Sequence, residues 1–239
     1  MRKLIFVLIA LPFFSFGQEK NVVSVNRVFP KGDKVLAFEK ALTAHAQKYH
    51  TGNWKWRVFT VESGPDAGGY HITEGPLSWD DVDTRGDLGK DHTADWNSNI
   101  APLLQDKAVI SYSVYRADLS SVALTDFSDK IAITHVFPKP GYTEEVEELV
   151  KNLKKTWEAS AQTVAVYEAS SSGPSQIALV TRYKQGLKER ATGFRKPMKE
   201  RYVQANGENS WEAYIKGVRD AVDNFWSELL FYHPELSSK

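Results

Sequence analysis

The chain has 239 residues with equal numbers of basic and acidic side chains, no cysteine, and 12% aromatic residues. Without cysteine it can hold no disulfide, no thiolate nucleophile and no cysteine-based metal site. Its balanced charge excludes a global field that would attract nucleic acid or an anionic membrane. Its hydrophobic residues, 42% of the total, are enough for a packed core and argue against disorder.

The first 18 residues, MRKLIFVLIALPFFSFGQ, place Arg2 and Lys3 before an apolar run that ends at Phe14. Small residues near Gly17 follow, which is the pattern of a cleaved secretory signal peptide. The run is too short for a transmembrane helix, which needs about 20 apolar residues. We therefore expect a mature chain that is periplasmic or secreted, has no stable membrane or lipid anchor, and carries a net charge of about −2 after Arg2 and Lys3 are lost.

Three short motifs occur twice in the same order. They are VFPK at 28–31 and 136–139, SGP at 63–65 and 172–174, and YRADLSS at 115–121, which returns as YHPELSS at 232–238. An internal repeat of this kind predicts two copies of one structural unit. The predicted organisation is a signal peptide at 1–18, a first repeat at 19–121 and a second repeat at 122–239.

The first copy alternates between strand and helix patterns. Its strands are predicted at 22–29, 54–61, 69–74 and 109–116, and Pro30 ends the first of them because proline cannot donate to a ladder. Apolar residues at helical spacing, from Val35 to Tyr49, predict a helix after the first strand. A second helix is predicted at 86–104.

The second copy repeats this order. Strands are predicted at 130–137, 163–170, 177–183 and 229–233, a helix carries the stripe from Val146 to Trp157, and another spans 209–228. The order βαββαβ is that of the ferredoxin-like unit, whose sheet leaves one face open. Because an apolar sheet face must be covered, we expect an α+β fold in which two tandem ferredoxin-like units pack sheet to sheet. The result would be an intramolecular pseudo-dimeric α+β barrel with a cavity between the sheets.

The element order, the opening VNRVFPKG and the segment APLL at 101–104 resemble the dimeric α+β-barrel superfamily. That superfamily includes families similar to the antibiotic-biosynthesis monooxygenases, NIPSNAP-like proteins and haem-degrading monooxygenases. The resemblance covers both halves of the mature chain and implies the fold. Its members include cofactor-free oxygenases, isomerases, haem enzymes and proteins without known catalysis, so the fold alone does not select an activity.

Polar residues on or beside the predicted cavity are the candidate ligand-binding groups. They are Asn26, Arg27, His71, His92, His135, Arg182 and Tyr183. Arg27 and His135 occupy equivalent positions in the two copies, so duplication has left room for one asymmetric site. The segment 183–202 is rich in Lys and Arg and would favour an anionic ligand if it covered the cavity mouth.

The resemblance implies one possible cofactor. The haem-degrading branch places an Asn on the first strand and a Trp and a His around the second helix. Here Asn26 and His92 match two of these positions, and Trp79 or Trp96 stands for the third. A neutral imidazole can ligate haem iron. The cofactor is otherwise unknown.

The sequence predicts no protein-bound metal ion. His45 and His50 are five residues apart on the predicted first helix and should lie on different faces. The acidic segment 80–91 lacks the oxygen donors of an EF-hand at loop positions five and twelve, where Arg85 and His92 stand.

Three functions are consistent with these patterns. The first is binding of a small organic ligand in the inter-sheet cavity by a monomer or weak homodimer, with an anionic ligand favoured if the basic segment covers the cavity mouth. The second is a cofactor-free or haem-using monooxygenase, which needs a basic or ligating side chain pointing into the cavity. The third is a non-catalytic structural or partner-binding module, which predicts a filled barrel.

Overall fold

The computed structural model describes residues 19–239, and the predicted signal peptide lies outside the described residues. In the described part, no helix combines the length and apolar character needed to cross a membrane.

From residue 19 to the end of the first half, the structure has four strands and three α-helices. They are β1 (Val22–Pro30), α1 (Val35–Tyr49), β2 (Trp56–Val61), β3 (Tyr70–Leu77), α2 (Trp79–Thr84), α3 (His92–Asp95) and β4 (Leu104–Tyr115). A π-helical turn (Trp96–Ile100) and a 3-10 turn (Ala101–Leu103) continue α3 to the start of β4. The helix predicted at 86–104 is therefore broken, and its first residues form a loop.

The second half follows the same order with longer helices. They are β5 (Lys130–Pro138), α4 (Thr143–Ala159), β6 (Val164–Ser170), β7 (Ile177–Arg182), α5 (Met198–Asn206), α6 (Ser210–Ala221) and β8 (Val222–Tyr232). The predicted helix at 209–228 ends seven residues early, because the chain changes directly from α6 to β8 at Val222. The predicted strand at 229–233 is correspondingly longer.

All eight strands join in one closed antiparallel barrel, in the order β1-β3-β2-β8-β5-β7-β6-β4. Two short seams close it: residues 59–61 of β2 pair with 230–232 of β8, and residues 112–115 of β4 pair with 167–170 of β6. The α+β class and the barrel are confirmed.

Each strand presents alternate side chains to the two faces of the barrel wall. Outward-facing residues pack against the helices in two clusters, one centred on Phe38 and Leu42 of α1 and one on Val150 and Trp157 of α4. Inward-facing residues form a third cluster that includes Phe59, Ile133 and Leu230. This third cluster fills only part of the barrel, so the filled barrel expected of a purely structural module is not observed.

Candidate functional site

The barrel encloses a cavity of about 550 Å³ that is lined by residues from all eight strands. Its volume lies within the range of about 300–1,000 Å³ that is usual for small-molecule sites. The wall is largely apolar, with Phe59, Ile133 and Val180 contributing to it. Val109 and Ile110 of β4 also line the cavity and are 48% and 66% exposed. The cavity therefore opens to solvent beside the first half of β4.

A hydrogen-bonded network crosses one end of the cavity. Arg27 on β1 donates from both terminal nitrogens to the carboxylate of Glu228 on β8, with one Nη1–Oε2 distance of 2.8 Å. The Nε2 atom of His135 on β5 lies 2.8 Å from Oε1 of Glu228, and its Nδ1 lies 2.6 Å from the amide nitrogen of Gln176. The His135 ring stacks on Trp226 at 4.0 Å. Three strands from both halves of the chain thus converge on one carboxylate.

The network keeps Glu228 ionised although its side chain is fully buried. Burial alone would raise the pKa of this carboxyl, but the hydrogen bonds from Arg27 and His135 outweigh burial and lower the pKa to about 2. Arg27 also forms an ion pair with Asp66, at 3.1 Å. Its guanidinium is therefore neutralised by the protein itself.

His71 on β3 lies beside this network and lines the cavity. Its Nδ1 atom is buried and has no hydrogen-bond partner. Burial, reinforced by the positive charge of Arg27, lowers the pKa of His71 to about 3. The imidazole is therefore neutral at physiological pH.

The other end of the cavity carries Arg57 of β2 and Arg182 of β7. Arg182 donates to the carbonyl oxygens of residues 123, 124 and 126 and to the hydroxyl of Tyr167, so it fixes the loop that covers this end. Arg57 lies over the ring of Phe127 at 3.6 Å, and its hydrogen bond to the Gly75 carbonyl is long, at 3.4 Å. Neither guanidinium forms an ion pair with a carboxylate of residues 19–239.

Four of the seven predicted ligand-binding residues line this cavity: Arg27, His71, His135 and Arg182. The three others lie elsewhere. Asn26 is adjacent to Arg27 on β1 and so points to the helix side, where it lines a separate pocket of about 180 Å³. Tyr183 follows the end of β7, and its hydroxyl accepts a hydrogen bond from Arg190 at 2.9 Å.

His92 also lies outside the barrel, at the start of α3. Its Nδ1 contacts Asp87 at 2.9 Å and its Nε2 lies 3.3 Å from Nε2 of His50. The prediction that His45 and His50 must diverge is wrong, because α1 ends at Tyr49 and His50 has left helical geometry. Ligand nitrogens of His45, His50 and His92 all lie within 4.8 Å of one another.

The residues considered for haem do not fit that cofactor. Asn26 lines the smaller pocket, whereas His92 does not, so the two do not face a common space. Trp96 packs against His45, with ring centroids 5.6 Å apart, and does not line the pocket that Asn26 lines. Trp79 lies near Tyr112, with ring centroids 5.9 Å apart, and is not grouped with His92.

The basic segment 183–202 contributes no residue to the cavity lining. Its charges are paired locally, as in Arg195 with Glu189 and Lys196 with Glu200, both at 2.6 Å. Tyr202 of α5 is buried against Trp211 and Tyr214 of α6. This segment belongs to the outer helical layer, and the loop at 123–128 covers the cavity instead.

Sequence patterns missed several residues of the site. Glu228, Trp226 and Gln176 build the network at one end, and Arg57 and Tyr167 build the other. Arg57 and Tyr167 carried a usable signal, because each alternates with apolar residues on a predicted strand. Trp226 and Glu228 fell within a predicted helix.

No family model matches the chain, and no curated protein matches it. Solved structures do resemble it. A proposed monooxygenase from Lactobacillus acidophilus NCFM aligns with a TM-score of 0.53 and 11% identity, covering 92% of this chain and 97% of the other. The chain has the dimeric α+β-barrel fold.

Two further structures with this barrel are similar over nearly their full length. An anthrone oxidase-like protein aligns with a TM-score of 0.57 and 15% identity, covering 90% of this chain and 92% of the other. A mutant chlorite dismutase from Candidatus Nitrospira defluvii aligns with a TM-score of 0.51 and 7% identity, covering 92% of this chain and 94% of the other. At such low identity these likenesses show the barrel fold and no activity.

Proposed function

We propose that the barrel cavity binds a small organic molecule with an apolar, ring-sized body and an anionic group. The observation that carries this proposal is the pair Arg57 and Arg182, which bring positive charge into the cavity with no carboxylate partner among the described residues. A carboxylate, sulfonate or phenolate of the ligand would supply the missing negative charge.

Arg57 is the group most ready to contact the ligand. Arg182 already donates to three carbonyls and a hydroxyl, whereas Arg57 makes one long hydrogen bond. Burial lowers the pKa of Arg57, which shows that its charge is held in an unfavourable environment. A guanidinium offers paired donors that match a carboxylate or sulfonate, so an anion would relieve this cost.

The remaining cavity surface suits the body of such a molecule. Phe59, Ile133 and Val180 provide an apolar wall. The neutral imidazole of His71 adds a polar ring to the lining at the far end. Arg27 is not available in the same way, since Glu228 and Asp66 already neutralise it.

Two fluorescent probes that share an anilinonaphthalene body and differ by one sulfonate group test this proposal. We expect anilinonaphthalene sulfonate, which is anionic, to bind saturably to the wild-type protein. Arg57→Leu should weaken that binding by about 10-fold or more, since a hydrogen bond to a charged group contributes about 1.5–3 kcal/mol. The uncharged N-phenyl-1-naphthylamine should bind wild type and variant equally.

Arg219→Leu is the matched control, because Arg219 is exposed on α6 and remote from the cavity lining. This substitution should leave the binding of both probes unchanged. Equal loss of both probes in Arg57→Leu, or unchanged sulfonate binding, would contradict a role of Arg57 in recognising negative charge.

A second candidate function is oxygenation without a bound cofactor. The specific observation is that His71 presents a neutral imidazole to an apolar cavity, and fold neighbours include a proposed monooxygenase and an anthrone oxidase-like protein. His71 would accept a proton from an activated ring methylene, with the charge of nearby Glu228 partly offsetting the burial that disfavours the imidazolium. Arg57 would stabilise the resulting oxyanion. Reaction of that anion with O₂ converts CH₂ to C=O, and the second oxygen atom leaves as water.

Oxygen uptake in the presence of anthrone tests the second function. Wild type should consume one O₂ per anthrone and form the quinone, while His71→Leu should be slower by about 100-fold, a typical contribution of general acid–base catalysis. His233→Leu is the control, since His233 lies outside the cavity lining. Uptake by wild type no faster than in buffer would leave ligand binding as the function.

We also propose that the two halves are tandem ferredoxin-like units packed sheet to sheet as an intramolecular pseudo-dimer. The strand orders β4-β1-β3-β2 and β8-β5-β7-β6 support this, as do the VFPK motifs at the ends of β1 and β5. One chain would then complete the barrel without a second copy. Urea unfolding should show a single cooperative transition, and two separate transitions would argue for independent halves.

A further inference from the structure

Three histidines converge on the outer side of the barrel wall, away from the cavity. His45 lies in the last turns of α1, His50 follows α1, and His92 begins α3. His45 and His50 are buried, and the His92 side chain is 13% exposed. One ligand nitrogen from each lies within 4.8 Å of the other two.

Each imidazole is held by its own carboxylate through Nδ1. The distances are 2.7 Å from His45 to Asp95, 2.9 Å from His50 to Glu74 and 2.9 Å from His92 to Asp87. A carboxylate beside Nδ1 accepts a hydrogen bond from the N–H group, so the ring proton stays on Nδ1 and Nε2 keeps its lone pair. Histidines that ligate metals almost always have such a partner on the other nitrogen.

The carboxylate of Glu74 is itself fixed. It accepts hydrogen bonds from Nε1 of Trp56 at 2.9 Å and from Nε of Arg85 at 2.8 Å. Trp56 also stacks on the His50 ring at 3.5 Å. The orientation of His50 is therefore determined by packing and by hydrogen bonds, which is the rigidity that a preorganised site requires.

The Nε2 atoms have no other satisfactory partner. Those of His50 and His92 face each other at 3.3 Å, and that of His45 is buried without a hydrogen bond. With the protons on Nδ1, two lone pairs would oppose each other. Two zinc–nitrogen bonds of about 2.0–2.1 Å at a tetrahedral angle place their nitrogens about 3.3–3.4 Å apart. The separation of the His50 and His92 Nε2 atoms matches this value, and the third nitrogen lies within 4.8 Å of both, so a bound ion would draw the imidazole of His45 closer.

We propose that His45, His50 and His92 form a binding site for a divalent transition-metal ion, with Zn²⁺ as the best match. Three imidazoles suit zinc and related ions, and a fourth tetrahedral position is left for water. No fourth His, Asp or Glu of residues 19–239 belongs to the group. The site is independent of the proposed ligand cavity, since Trp56 and Glu74 face the helices while Arg57 and His71 face the interior.

Metal titration of the chelator-treated mature protein tests the site. By calorimetry we expect wild type to bind one equivalent of Zn²⁺ saturably, and Co²⁺ to give the visible absorption of a tetrahedral centre. His92→Ala should weaken Zn²⁺ binding by more than about 100-fold, and Asp87→Asn by about 10-fold or more, as for other partners of metal-bound histidine. Zn²⁺ should raise the melting temperature of wild type but not of His92→Ala.

His92 is chosen because it is partly exposed and its replacement leaves the buried His45 and His50 in place. His92→Gln, which keeps most of the side-chain volume, is the second variant should the alanine variant unfold. His233→Ala is the control, as this partly exposed histidine pairs with Glu235 outside the cluster. Absence of saturable binding in wild type, or equal affinity in wild type and both His92 variants, would overturn the assignment.

Discussion

Glu228→Ala is expected to lower the free energy of unfolding by about 3–5 kcal/mol, the usual cost of removing one partner from a buried ion pair. The loss arises because Arg27 would keep its charge in the barrel interior with only Asp66 to balance it. His135 would also lose the acceptor at its Nε2 atom. Urea unfolding followed by tryptophan fluorescence measures this difference.

Two further variants separate the charge effect from the loss of side-chain volume. Arg27→Met combined with Glu228→Leu should recover part of the loss, because a buried pair replaced by apolar residues is often nearly neutral. Glu208→Ala, at an exposed glutamate, should change stability by no more than about 0.5 kcal/mol. If Glu228→Ala behaves like Glu208→Ala, the network does not hold the two halves together.

The strand pattern predicted much of the barrel because it rests on short-range rules. Alternation and the proline stops located β1 and β5 to within one residue of the observed ends. The alternation of side chains between the two faces of a strand would also have corrected one error in the predicted set of cavity residues. Asn26 and Arg27 are neighbours on a strand, so only one of them can face the cavity, and the same argument separates Arg182 from Tyr183.

The start of β8 could not be predicted from the sequence in the same way. Phe225, Trp226 and Leu229 fit helical spacing as well as strand spacing. The sequence therefore predicts a helix to residue 228, whereas the observed α6 ends at Ala221. Glu228 also breaks the apolar alternation of an inward face. Its burial is decided by Arg27, which is 201 residues away in sequence.

The histidine cluster escaped prediction for a different reason. The face of a helix is defined only while the helix continues, and α1 ends between His45 and His50. The third member, His92, comes from a segment whose predicted long helix is broken. Convergence of side chains from helix ends and loops depends on tertiary packing, which no periodicity encodes.

His71→Leu is expected to gain stability relative to wild type as the pH falls, by about 2–3 kcal/mol between pH 7.5 and pH 4.5 in the ligand-free protein. Burial lowers the pKa of His71 to about 3, from an unperturbed value of 6.5. A group whose pKa is lowered by folding makes its full contribution to the free energy of unfolding only at pH values above its pKa in the unfolded chain. That contribution is lost as the pH falls from 6.5 towards 3, because the unfolded chain binds the proton first.

The chosen pH range isolates His71 from the carboxyl network. Glu228, with a pKa of about 2 against an ordinary 4.5, changes its contribution mainly below pH 4.5. Urea unfolding at several pH values between 7.5 and 4.5 gives the free energy of unfolding as a function of pH. The slope of that plot should be smaller in the variant than in wild type by up to the equivalent of one proton. His233→Leu should not show this change. Parallel curves for wild type and His71→Leu would mean that His71 reaches solvent, and would remove it as the neutral polar group of the cavity.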